Sequence, residues 1–505
     1  MKPVSKIAEA VRASTTLAVD SLAKQMKADG LDVVGFGTGE PDFNTPDNIN
    51  MAGIRAICDG KTKYTPAAGI IPLRKAIAHR LKEDCGVDYD YTQIVVASGA
   101  KHSVYIALAA ITNPGDEIII PAPFWVSYYE MVRMVGGTPV IVEAGEEQNF
   151  KITAQQLEAA ITEKTKCLML NNPSNPTGMI YSADELRAIA DVCVKHDLYI
   201  LADEIYYQLI YDGIEFTSIA SLGDEVKERT LLVNGVSKSY AMTGWRVGYC
   251  AANKTLAKIM SNFLSHSTGA PSTISQWASV EALTGPQEGI EAMRLAFLER
   301  RDYIVKRINS IPGVSCIVPN GAFYVMMNIE QLIGKTLGGK LIENDDDFAV
   351  PVYAEIPIRS GKVRYKAGLC AHRRRIQSVR APLKPNAGVL RAAVVCADAF
   401  AQPRFYAAAV QPSALEPGYQ RQGKYVRRKI RRDRVPRQAE YRLISRSAEY
   451  RRLSGLHCNA VEQYLADGSR HADACVLFAD AAAAGYYDGI AFFKRTAHGF
   501  FQHLH

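Results

Sequence analysis

The chain has 505 residues, of which 48% are hydrophobic and 22% charged, with a formal net charge of +7. That length asks for two or more domains, and the composition excludes a disordered, fibrous or disulfide-scaffold chain. The opening "MKPVSKIAEAVRAS" lacks an apolar signal core, no apolar run is long enough to span a bilayer, and the cysteines form no Cys-x-x-Cys pair. A cytoplasmic protein with no membrane contact, no disulfide frame and no bound metal is therefore expected.

From about residue 90 to 252, short apolar runs alternate with helical patterns, which predicts an α/β fold with a mostly parallel sheet. The predicted strands are 94–99 ("IVVASG"), 117–123 ("EIIIPAP"), 138–144 ("TPVIVEA"), 166–173 ("KCLMLNNP"), 198–206 ("LYILADEIY"), 230–238 ("TLLVNGVSK") and 247–252 ("VGYCAA"). The stretch 182–196, "SADELRAIADVCVKH", reads as a helix with a serine cap and an acidic first turn. A further helix over 288–310 precedes strands within 314–329, the beginning of a smaller α+β domain.

Ligands of open α/β sheets collect at the carboxyl ends of the strands. Those ends carry Gly99-Ala100-Lys101, Pro123-Phe124-Trp125, the loop from Asn172 to Gly178, Asp203 to Tyr206, and Ser237-Lys238. Two nucleotide-like strings are excluded: "GFGTGE" (35–40) lacks dinucleotide-fingerprint spacing, and "IGKTLGGK" (333–340) has Ile329 where a P-loop needs its first glycine. A lysine ending a buried strand is a phosphate ligand, an ion-pair partner or a nucleophile toward carbonyls. Pyridoxal 5′-phosphate needs an amine, a carboxylate for its ring nitrogen, donors for its hydroxyl, a phosphate cradle and a flat group on its face. The strand ends supply all of these.

"SKSYAMTGWRVGY", "GTGEPDFNTP", "YTPAAGIIPLRKAI", "SGAK", "NNPSNPTG" and "LADEIYYQLIYDG" resemble, in order and spacing, the signatures of the Ib-type class I aminotransferases, the family of the bacterial aspartate aminotransferases. The resemblance covers about residues 1–349. It implies pyridoxal-phosphate fold type I, with a seven-stranded sheet and helices on both faces. It also divides the chain: 1–45 and 286–349 in a small domain, 46–285 in a large cofactor-binding domain.

By this resemblance Lys238 would hold the cofactor covalently and then shuttle a proton at the substrate. Asp203 would pair with the ring nitrogen, and Asn175 and Tyr206 would bond the ring hydroxyl. Gly99, Ala100, Lys101, Ser237 and Arg246 would bind the phosphate, and Trp125 would stack on the ring. Tyr64 would reach the phosphate of a second subunit, which implies a homodimer. Gly39 would meet the substrate carboxylate, and Thr16 and Lys101 a distal carboxylate. The implied activity moves an amino group from an L-amino acid, aspartate or glutamate, to a 2-oxo acid, with a prephenate or aromatic partner as an alternative.

Residues 350–505 break the pattern. They carry 27 Lys and Arg against 11 Asp and Glu, whereas residues 1–349 carry 32 against 41. The family's Arg-x-Ser-aromatic-Ala motif, whose arginine grips the substrate α-carboxylate, has no counterpart; the nearest string is "RRLSG" (451–455). Weak substrate affinity and slow turnover follow as expectations. The runs "HRRR" (372–375) and "VRRKIRRDRVPR" (426–437) suggest a nucleic-acid-binding tail on a catalytically impaired protein. Arginine-rich, weakly periodic sequence equally fits a shifted reading frame, and this is the reading adopted, with no nucleic-acid partner. A short stretch, 483–502, is similar to cyclophilin-type prolyl isomerases.

Overall fold

The computed structural model describes residues 39–348 almost throughout, residues 2–12, a few positions between 21 and 29, and the backbone of 369–371 and 391–395. Strands β1 (Ile94–Ala97), β2 (Glu117–Ala122), β3 (Thr138–Glu143), β4 (Thr165–Asn171), β5 (Tyr199–Asp203), β6 (Thr230–Gly235) and β7 (Gly248–Ala251) form one sheet, ordered β1-β7-β6-β5-β4-β2-β3. Strands β2 to β6 pair in parallel, and β7 runs antiparallel between β1 and β6. Helices α1 (Lys6–Ala10), α2 (Asp47–Cys58), α3 (Ile71–Cys85), α4 (Ala100–Ile111), α5 (Ser127–Met134), α6 (Ala154–Ala160), α7 (Ala183–Lys195), α8 (Asp224–Arg229), α9 (Lys254–His266), α10 (Thr273–Thr284) and α11 (Glu288–Asn309) accompany it.

Strands buried on both faces must be apolar at every position, and β1 and β6 are fully buried along their lengths. Neighbouring residues serve opposite faces. Leu232 packs with Leu73 and Ile77 of α3, while Leu231 packs with Val104 of α4 and Met260 of α9. A third cluster joins Leu168 and Ile200 to Leu157 of α6 and Leu186 of α7. Helix α7 starts as its sequence predicts: Ser182 Oγ accepts from Glu185 N–H (3.3 Å) and Glu185 Oε2 accepts from Ser182 N–H (2.7 Å).

Two strands end three residues earlier than their apolar pattern predicts. Beyond Asp203 and Gly235 the chain turns, with Tyr207 N–H donating to Glu204 C=O (3.0 Å) and Tyr240 N–H to Val236 C=O (3.2 Å). Residues that read as strand thus form the turns that carry the site. After the sheet α11 leads to β8 (Tyr324–Asn328), with Ser315 bridging Asn328, and to the short β9 (Thr336–Leu337) and β10 (Lys340–Leu341). The backbone of β11 (Leu369–Ala371) and β12 (Arg391–Val395) adds to β8 in an antiparallel sheet ordered β11-β12-β8.

The rest of 350–505, including the strings at 372–375, 426–437, 451–455 and 483–502, lies outside the described residues, as does Thr16. Among the described residues no helix is long and apolar enough to cross a membrane. Nor do they contain a group of three or more His, Cys, Asp or Glu able to hold a metal.

Candidate active site

Strand β5 delivers Asp203 to the carboxyl edge of the sheet, where its side chain is almost fully buried. Desolvation disfavours its charged form and raises its pKa to about 6, against the opposing effects of two donors and the Lys238 ammonium. The donors are Tyr128 Oη, 2.7 Å from Oδ2, and Ile205 N–H, 3.3 Å from Oδ1. Tyr128 sits on the first turn of α5 and is itself buried, so its hydroxyl fixes the orientation of the carboxylate. Its burial is closed on one side by Trp125, whose ring meets it edge-on at 5.3 Å.

Lys238 lies in the turn after β6 and donates from Nζ to Gly39 C=O. Its ammonium sits 5.8 Å from the Tyr206 ring and 5.6 Å from the Phe323 ring. Burial lowers its pKa to about 8; Arg246 and Lys101 add to that, while Glu40 and Asp203 oppose it. Beside it, Tyr206 and Tyr324 hydroxyls are 2.6 Å apart, and Asn175 Nδ2 donates to Tyr324 Oη at 3.3 Å. Asn175 is set by its own N–H, which donates to Asn171 Oδ1 (2.6 Å).

At the start of α4, Gly99 has φ +86°, and an ideal Cβ there would lie 2.5 Å from Arg246 Nη2. At this positive φ a side chain would be strained and would crowd this guanidinium, which donates to Thr243 C=O (2.9 Å) and Ser98 C=O (3.4 Å). Arg246 itself takes a left-handed backbone, φ 57°. Close packing continues at Gly248, where a Cβ would lie 2.2 Å from Ala100 N. Lys101 Nζ stands 4.9 Å from the Trp125 ring, and burial together with Arg246 lowers its pKa. Ser237 is buried next to Lys238. Gly99→Ala is expected to cost about 1–3 kcal/mol of unfolding free energy, read by urea denaturation of the cofactor-free protein.

Lys101, Lys238 and Arg246 thus converge at one end of α4, and none makes an ion pair with an acid among the described residues. Mutually repelling cations at a helix start fit an anionic group. Residues 31–355 match the family model for class I and II aminotransferases. The chain belongs to that family. The aminotransferase is 49% identical over 323 residues to an aspartate aminotransferase of Bacillus sp. (strain YM-2), covering 64% of this chain and 82% of the relative. It is 49% identical over 340 residues to a probable aspartate/prephenate aminotransferase of Rhizobium leguminosarum bv. phaseoli, covering 67% and 85%. Among solved structures, the aspartate aminotransferase from Rhizobium meliloti matches with a TM-score of 0.66 at 42% identity, covering 69% of this chain and 88% of that one.

The family depends on pyridoxal phosphate and acts on amino and 2-oxo acids. The residues present fit that cofactor: a half-buried amine, a buried carboxylate, hydroxyl and amide donors, and clustered cations for a phosphate. Sequence reasoning misses Tyr128, Phe323 and Tyr324. No motif marks Tyr128, and the "GAFY" string reads as part of the strands within 314–329. Of the expected site residues, Tyr64 stands apart, fully exposed to solvent.

Proposed function

We propose that the aminotransferase carries the amino group of aspartate or glutamate to a 2-oxo acid, with Lys238 holding the cofactor. The observation that carries this reading is the half-buried Lys238 amine, whose charge is disfavoured and which stands between the Tyr206 and Phe323 rings with the cations Arg246 and Lys101 nearby. Bound pyridoxal phosphate supplies an aldehyde for the amino group and a ring that withdraws electrons. Asp203 would keep a negative charge at the ring nitrogen, oriented by Tyr128. Asn175 and Tyr206 would bond the ring hydroxyl, and Trp125 would cover the ring face. Gly99, Ala100, Lys101, Ser237 and Arg246 would hold the phosphate. Lys238 Nζ, once released, would move a proton at the substrate Cα.

Gly39 would meet the substrate carboxylate, while Lys101 and Thr16 would take a distal one. Tyr64, exposed on this chain, would reach a second subunit's phosphate in a homodimer; the exposed Ile54 and Ile57 nearby in the sequence are compatible with a partner face. The names of the relatives support aspartate first, and those of the Rhizobium leguminosarum type support prephenate as a second amino acceptor. No arginine is assigned to the substrate α-carboxylate, so high amino-acid concentrations should be needed.

Adding aspartate or glutamate to the cofactor-loaded protein should bleach the visible band, and 2-oxoglutarate should restore it. A band indifferent to every amino acid tried would overturn the proposal. Replacing 2-oxoglutarate with prephenate tests the second acceptor.

A further inference from the structure

Residues 39–46 cross the site between the lysine turn and α11. On the lysine side, Gly39 C=O accepts from Lys238 and the Glu40 carboxylate from the Thr243 hydroxyl. Thr45 Oγ1 donates to Ala241 C=O at 2.8 Å and accepts from Trp245 Nε1 at 3.1 Å. On the helix side, Asp42 Oδ1 accepts from Arg300 Nη1 at 2.7 Å, with side chains 28% and 12% exposed.

The Arg300 guanidinium lies 5.0 Å from the Phe43 ring and 5.5 Å from the Phe297 ring. Phe43 meets Phe297 edge-on at 5.6 Å, and Phe297 stacks on Phe323 at 5.1 Å. Phe323 in turn faces the Lys238 ammonium. A continuous run of rings therefore links the ion pair on α11 to the lysine. An ion pair partly shielded from water and backed by ring faces holds its geometry better than a bare surface pair, which contributes little.

We propose that Arg300 and Asp42 are positioning residues for transamination. Their ion pair pins the 39–46 segment to α11, so that the Gly39 peptide stays over Lys238 where the substrate carboxylate would meet it. Arg300 touches neither Gly39 nor Lys238 and acts through Asp42 and Phe43. The inference rests on the assignment of Lys238 and Gly39 made above.

Hydrogen–deuterium exchange of the cofactor-free protein and titration of the loaded protein with the dicarboxylate maleate test it, using Arg300→Met, Asp42→Asn and Arg300→Lys. Exchange in 39–46 should rise about tenfold or more in the first two, with β5 and β6 unchanged. Maleate should bind about tenfold more weakly, the visible band should remain, and Arg300→Lys should recover most of both effects. Unchanged exchange at 39–46, an equal rise throughout the sheet, or unaltered maleate binding would overturn the proposal. Should Arg300→Met not fold, Asp42→Asn, neutral and of the same shape, gives the same readings. If instead the assignment of Lys238 is wrong, Lys238→Ala keeps the band while the exchange result still reports on the pin.

Discussion

Lys238→Ala is expected to remove the visible band of bound pyridoxal phosphate and to lower kcat by about 10⁴-fold or more, since it takes away both the cofactor's attachment and the proton carrier. The wild-type lysine is prepared for capture by its surroundings. With a pKa of about 8, about a quarter of it is uncharged at pH 7.5, against about one part in a thousand for an ordinary lysine. Cofactor uptake by the cofactor-free protein should therefore accelerate with pH and level off above about 8. Stopped-flow absorbance at a series of pH values reads this directly. A profile still rising steeply at pH 10 would mean that the amine is not the buried one. A Lys238→Ala protein that stays coloured and turns over would exclude the residue altogether.

Asp203→Asn should move stability and cofactor binding in opposite directions. The Asp203 pKa is raised in the folded chain, from 3.8 to about 6. The folded state thus binds this proton more tightly than the unfolded one. Stability from this group is present in full below about pH 4 and is lost as pH rises through about 6. At pH 8 the buried carboxylate therefore costs up to about 3 kcal/mol in the cofactor-free protein. The neutral asparagine avoids this, so the variant should melt higher than wild type at pH 8 and alike at pH 4. Its affinity for pyridoxal phosphate should fall about 10²–10³-fold, because the ring nitrogen's buried cation loses its counter-charge. Calorimetric melts at both pH values and an absorbance titration decide the matter. A variant that binds cofactor as tightly as wild type would remove Asp203 from the ring nitrogen. Such a gain in stability with loss of function is common at catalytic positions.

Much of this site is legible in the sequence because a parallel sheet turns chain order into spatial proximity. Asp203, Lys238, Gly99 and Asn175 each follow an apolar run, and each reaches the same edge. Arg246 is legible by its motif, although its left-handed backbone and its dependence on the missing Cβ of Gly99 are not. What periodicity does not reveal is reach between distant side chains. Tyr128 joins Asp203 across 75 positions, and Tyr206 meets Tyr324 across 118. Nothing local marks Tyr128 or Tyr324 as different from a core aromatic. The Asp42–Arg300 pair is hidden in the same way, 258 positions apart and belonging to two regions of the chain. The apolar pattern also runs past Asp203 and Gly235, since buried turns are as hydrophobic as the strands that lead into them.

The reversed strand β7 has a consequence for the order in which the protein is made. It pairs Ile94 with Ala251 and Leu232 with the same residue, so that β1 joins β6 only through a strand made about 150 positions after it. Until β7 has been made, the edge strand β1 has no neighbour in the sheet, and Gly99 has no Arg246 to make room for. Once it has, β1 can join the sheet, and Lys101, Lys238 and Arg246 are all present.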